Sequence, residues 1–260
     1  MEEHVLIAVP RIESGVKKLA DLYIHSLFKS FETIMLPLPR GLCAELVKTY
    51  LGGGSYDESI ATKYLNEPLE KLWRPVLESL AYVIRYERYL EKSVTCYLSD
   101  DYIKSLEDRA VRLGYLLYKA NVFGKKKLDE WVDLFKDRNN EGIINETLIN
   151  ALNESSKPAI VVDNYRALIE AQSSLRPARI HAVMDFYPAP TEAFDIMVNI
   201  TKAPEQALAE SVNWIISYLN DLKLSKSFDE LYAKYLLNDE YIKFLSRNKL
   251  FVIPGKETLL

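Results

Sequence analysis

Along this chain, unbroken apolar runs alternate with stretches in which apolar residues return every three or four positions. "HVLIAV" (4–9) and "TIMLPL" (33–38) are apolar almost throughout, the pattern of strands buried on both faces. Between them Val16, Leu19, Ala20, Tyr23 and Leu27 fall at helical spacing and predict a helix over 11–31. A strand–helix–strand unit of this kind is a parallel βαβ crossover. "SVTCYL" (93–98), "PAIVVDN" (158–164) and "RIHAVMDFY" (179–187) predict three more strands. A further short strand is expected over 194–200, after a turn in "PAPTEAF".

Helical spacing accounts for most of the remainder. Leu42, Leu46 and Val47 begin a helix that Gly52–Gly54 should end, and Ser55 with Glu58 has capping-box spacing for the next. Trp73, Val76, Leu77, Leu80 and Ile84 line one face over 67–91, with Pro75 predicting a break or kink near Arg74. Ser99 should cap a long helix carrying Ile103, Leu106, Ala110, Leu113 and Leu117, and Leu128 to Phe135 reads as a short one. Further helices are expected around 143–152, over 166–174, and from Leu208 to Leu222, with Ser227–Glu230 capping a last segment. These elements predict an α/β fold: a mostly parallel, Rossmann-like sheet in one domain over 1–260. A large helical insertion is expected at about 43–156 and a helical C-terminal region at about 204–250.

Composition narrows the picture only a little. The 260 residues carry a formal charge of −4, which argues against a dedicated nucleic-acid binder without excluding a local basic groove. Tyr82, Tyr86 and Tyr89 beside Arg85, Arg88 and Lys92 could stack on a single strand. The same pattern serves a helix that covers a core and turns its charges to water. The two cysteines, Cys43 and Cys96, read as buried free thiols. The acidic start "MEEHVL" is unlike a secretory leader, and no apolar run reaches membrane-spanning length, so a soluble, cytoplasmic protein is expected. Two glutamines beside abundant Lys, Glu and Tyr lean toward a thermophile.

Candidate chemistry gathers at the strand ends, where parallel sheets bind ligands. The first two strands both end in Pro-Arg, giving Arg11 with Glu13, then Arg40; later ends supply Asp163, Asn164 and Tyr165, then Asp185. Arginine just before a helix suits a phosphate or carboxylate, because guanidinium geometry adds to the helix N-terminus. In the other reading each arginine pairs with Glu13, Asp163 or Asp185 and fixes a loop. The carboxylates at 100, 101, 163 and 185 could hold a divalent cation, but helix capping explains such residues equally well, and no metal or cofactor is assigned. Gly52–Gly54 follows a helix and lacks Gly-Lys-Ser/Thr, so it is no phosphate loop. His181, within a strand, is the one candidate general base.

In its order of elements, through "HVLIAVPRIESG", "IMLPLPRG", "PAIVVDN" and "RIHAVMDFYP", the chain resembles the TraB/ChaN/erythromycin-esterase-like superfamily. That family has Gly-x-x-His after its first strand and a late histidine. Here the loops read Pro-Arg-Ile-Glu-Ser and Asp-Asn-Tyr-Arg. The resemblance therefore implies the layout with the metal-hydrolase chemistry lost or replaced, and it carries over no catalytic residue. The expected function is binding of a small phosphorylated or carboxylated ligand, with or without catalysis; the alternatives are protein interaction or assembly, including a homo-oligomer, and nucleic-acid association, which the charge disfavours.

Overall fold

The structure is a computed structural model that describes residues 4–86, 93–136, 157–175 and 178–256. Five strands form one all-parallel sheet: β1 (His4–Ala8), β2 (Thr33–Pro39), β3 (Ser93–Leu98), β4 (Pro158–Val162) and β5 (Ala178–Ala182), in the order β3-β2-β4-β1-β5. The expected α/β class with a parallel sheet is what the chain adopts. Strands β2 and β4 are buried along their whole length, which is why they read as continuous apolar runs rather than alternating ones. Their side chains still alternate by face. Ile7, Val9, Ile34, Leu36 and Val161 join one core cluster, while Leu6, Ala8, Ile160 and Val162 are buried outside it.

The first face is covered by the helical run α1 (Glu13–Lys18), a π-helical turn Leu19–Tyr23 and α2 (Ile24–Ser30). Three more helices join it: α3 (Arg40–Leu51), α4 (Glu58–Ala61) and α5 (Glu67–Tyr86). Gly52 caps α3 and Gly53 follows at φ 85°, a left-handed turn that glycine adopts without strain. The cap of α4 is Asp57, whose carboxylate accepts from the Ser59 N–H, rather than the expected Ser55. Helix α5 runs unbroken through Pro75. Trp73, Val76 and Leu77 are buried on either side of that proline, and this packing holds the helix despite the missing N–H.

The remaining helices are α6 (Tyr102–Phe123), α7 (Leu128–Phe135), α8 (Tyr165–Ser174), α9 (Pro190–Asn199), α10 (Glu205–Leu222), α11 (Phe228–Leu236) and α12 (Asp239–Arg247). Helix α8 packs on β1 and β4. Segment 194–200 is the second half of α9 and its C-cap, Ile200, and not a strand. Pro190 starts the helix, Glu192 accepts from the Ala189 N–H, and Phe194, Asp195, Ile196 and Met197 are all buried, so burial runs round the helix and leaves no readable period. The helix expected around 143–152 lies outside the described residues.

The chain divides into two compact units. One holds 1–103, 141–186 and 254–260, and with them the sheet. There the chain returns at its end: Gly255 bridges Ala182 in parallel, and the Asp185 carboxylate accepts from the Gly255 N–H. The other unit, 104–140 and 187–253, has its own core of Leu116, Leu117, Trp131, Phe194, Val212 and Ile215.

Cys43 and Cys96 are joined in a disulfide with Cα atoms 5.6 Å apart, which corrects the expectation of two free thiols. The bond ties α3 to β3, next to the strand from which α3 departs. No helix among the described residues is long and apolar enough to cross a membrane.

Candidate functional site

The site follows from sheet topology. Strands β1 and β4 are neighbours, in register Ala8 with Val162, and the Val9 N–H continues the ladder to the Val162 carbonyl. From β1 the chain moves past β4 to reach β2; from β4 it moves past β1 to reach β5. The two connections therefore diverge, with α1 and α2 on one face and α8 on the other. This is the switch point at which parallel sheets open a crevice.

Three chemical groups meet at this crevice. Asp163 follows β4 directly and is 3% exposed. Arg11 lies just beyond β1, and its Nε donates to Asp163 Oδ2 at 2.8 Å. Arg11 Nη2 donates to the Tyr102 hydroxyl at 2.9 Å, and the guanidinium lies 5.9 Å from the Tyr102 ring centre. Burial disfavours the Arg11 charge, but the Asp163 carboxylate and Tyr102 outweigh it and raise the pKa, so Arg11 stays cationic. Gly15 keeps this corner tight, because a Cβ there would stand 2.6 Å from the Pro10 carbonyl oxygen. Tyr97 sits close by, donating to the Val161 carbonyl at 2.7 Å. Burial first, and then the charge of Asp163, pushes its pKa up.

A cleft of about 220 Å³, its open mouth included, is lined by Arg11, Tyr102 and Asp163. Its apolar wall comes from Pro37, Pro39, Leu65, Leu69, Trp73 and Ile103. The enclosed part has room for about one water-sized group. One buried polar atom at this cleft, Asp163 Oδ1, has no protein partner among the described residues, while the Arg11 guanidinium is bonded through Nε and Nη2. The arrangement offers a donor edge and an acceptor edge side by side.

The other expected residues are placed differently. Arg40 is exposed and opens α3, but the N–H of Gly41 beside it is already met by Asp100 Oδ1 at 2.9 Å. An internal carboxylate thus occupies the place where an anion was expected at that helix start. Glu13 pairs with Lys17 on the surface. Asn164 caps α8 by accepting from the Ala167 N–H at 2.7 Å, and Tyr165 is buried and stacked on Phe186. Asp185 holds Gly255. Tyr102 and Trp73 were not among the expected residues. Trp73 reads as core in sequence, and only the folded chain shows that its edge of the core borders the cleft.

Asp163, Asp100 and Asp185 accept from Arg11, the Gly41 N–H and the Gly255 N–H, and no group of three or more His, Cys, Asp or Glu among the described residues could hold a metal ion. His181 is buried 3.3 Å from the Tyr23 hydroxyl, and burial, with Lys256 and Lys18, lowers its pKa. In the tyrosine-rich stretch of α5, Tyr82 lies edge-on to His25 and Arg85 donates to the Gly53 carbonyl. Tyr89, Arg88 and Lys92 lie outside the described residues. Neither the protein-family models, the curated proteins nor the solved structures with which the chain was compared match it.

Proposed function

We propose that this chain binds a small carboxylated or phosphorylated ligand at the C-terminal edge of its sheet, in the crevice between β1 and β4. The observation that carries this reading is the buried Asp163 Oδ1, an acceptor with no partner among the described residues, in a cleft that the Arg11 guanidinium also lines. A buried polar atom without a partner costs about 1–3 kcal/mol, so such atoms mark places that a ligand completes. Because Arg11 is half neutralised by Asp163, a bare anion is a poor fit. The better one is an acid group with a hydroxyl, ammonium or P–OH donor beside it, so that both side chains are met at once. The enclosed space takes about one water-sized group, so a single polar atom of that headgroup enters it, and the rest would lie in the open mouth along Trp73, Leu65 and Leu69.

A cytoplasmic setting belongs to the same proposal. The disulfide fits it best in a heat-adapted organism, where intracellular disulfides are common.

The test is a thermal-shift and calorimetric panel of hydroxy acids, amino acids and phosphate monoesters against wild type and Arg11→Lys. The lysine keeps a charge for Asp163 but loses the second guanidinium edge. A ligand at about 100 times its Kd should add roughly 2.7 kcal/mol to stability, and Arg11→Lys should weaken it about tenfold or more. A flat panel on folded wild type, or a shift unchanged in Arg11→Lys, rejects the site.

A further inference from the structure

We infer that the C-terminal residues 254–256 form an acid-released latch on the edge of the sheet, opened when the buried His181 takes up a proton. The order β3-β2-β4-β1-β5 leaves β5 as an edge strand, and residues 254–256 lie across its end. Gly255 bridges Ala182 in parallel, the Lys256 N–H donates to the Ala182 carbonyl at 2.9 Å, and the Gly255 N–H donates to Asp185 at 2.8 Å. The approach is too close for any other residue, because a Cβ on Gly255 would stand 2.4 Å from the Met184 Cα. Yet Pro254, Gly255 and Lys256 are all exposed. A segment held by hydrogen bonds, with little apolar surface buried, belongs to the part of a fold that opens first.

A third bond connects the latch to His181. The Tyr23 hydroxyl donates to the Lys256 carbonyl. Tyr23 is buried and ends the π-helical turn Leu19–Tyr23, an irregularity frequent where a helix serves a local function. Its one proton is committed to Lys256. The contact with His181 at 3.3 Å therefore runs from Nε2–H to the tyrosine oxygen, and the neutral ring carries its proton on Nε2. A second proton makes the ring a buried cation. The charged groups near it are cations as well: Lys256 on the latch and Lys18 at the end of α1. Arg179 lies two positions back on the same side of β5, and β1 sets the apolar Ile7 beside the ring. A charged ring would donate more strongly to Tyr23, but burial and the two lysines outweigh that gain. Both costs ease when the latch lifts, because water reaches the ring and Lys256 departs. Proton uptake by His181 therefore favours the open latch.

Amide hydrogen exchange of the full chain, followed by NMR at Gly255 and Lys256, reads two of the latch bonds directly. After correction for the intrinsic rate, their protection should hold above pH 6.5 and fall by up to about tenfold per pH unit below it, while the amides of β1 and β4 stay protected. His181→Gln keeps a donor for Tyr23 but takes up no proton, and it should flatten the profile. Asp185→Asn keeps an acceptor for Gly255, and it should leave the slope in place. Tyr23→Phe should cut the protection about fivefold at neutral pH. The wild-type profile and Asp185→Asn decide the matter even if His181→Gln fails to fold. Four results would each overturn the proposal: protection that is flat in wild type between about pH 7 and pH 5, a slope that persists in His181→Gln, a slope that disappears in Asp185→Asn, or protection lost only together with that of β1 and β4.

Discussion

At the scale of single residues, the argument turns on Arg11 and Asp163. The sequence displays both at strand ends but does not say whether they meet a ligand or each other. They meet each other, and Asp163 keeps one oxygen unmet. Arg11→Ala would leave a buried carboxylate without its counter-charge, so lysine is the informative substitution. Asp163→Ala should destabilise the protein by about 2–4 kcal/mol, somewhat below the cost of breaking a fully buried pair because the Arg11 side chain is 27% exposed. Urea denaturation measures this, and a loss under about 1 kcal/mol would make the pair a mere surface contact. Asn164 and Tyr165, equally prominent in "VVDNYR", serve as helix cap and buried stack. A loop of consecutive polar residues shows in the sequence as chemistry, but neighbours along an extended backbone point different ways, and only one of them faces the crevice.

Among the elements, the disulfide is the largest departure from expectation. Each cysteine sits in an apolar pattern that fits a buried thiol, and nothing local reports that α3 and β3 bring them together across 53 positions. Closing a loop of that length should contribute about 4 kcal/mol by the chain-entropy relation. Reduction under denaturing conditions, or Cys43→Ala with Cys96→Ala, should therefore lower the melting temperature by many degrees, whereas an unchanged melt would show that the bond does not form. Helix α9 and Pro75 teach a related lesson. A run buried on all sides has no readable period, and a proline yields to the packing on either side of it.

For the molecule as a whole, the buried His181 gives a prediction with a definite sign. Its folded pKa is depressed below 6.5, chiefly by burial. The unfolded chain then binds a proton more readily than the folded one, so this stability is complete above pH 6.5 and is lost as pH falls below it. Each unit of depression is worth about 1.4 kcal/mol. Melting temperature should fall between about pH 7 and pH 5 and fall less in His181→Gln; parallel curves would show that His181 is not the group responsible.

By itself the sequence determined the class and most of the described elements, because strand and helix periods are local and survive in the pattern of apolar residues. It also placed the candidate chemistry at one edge of the sheet, since in parallel strands the carboxyl ends all lie on the same side. Only the tertiary structure decided which of those ends are neighbours. The order β3-β2-β4-β1-β5 puts Asp163 beside Arg11, and the start of α6 brings Tyr102 from 91 positions away to the same cleft. Long-range pairing is set by how whole faces bury one another, and no short stretch of chain contains that information.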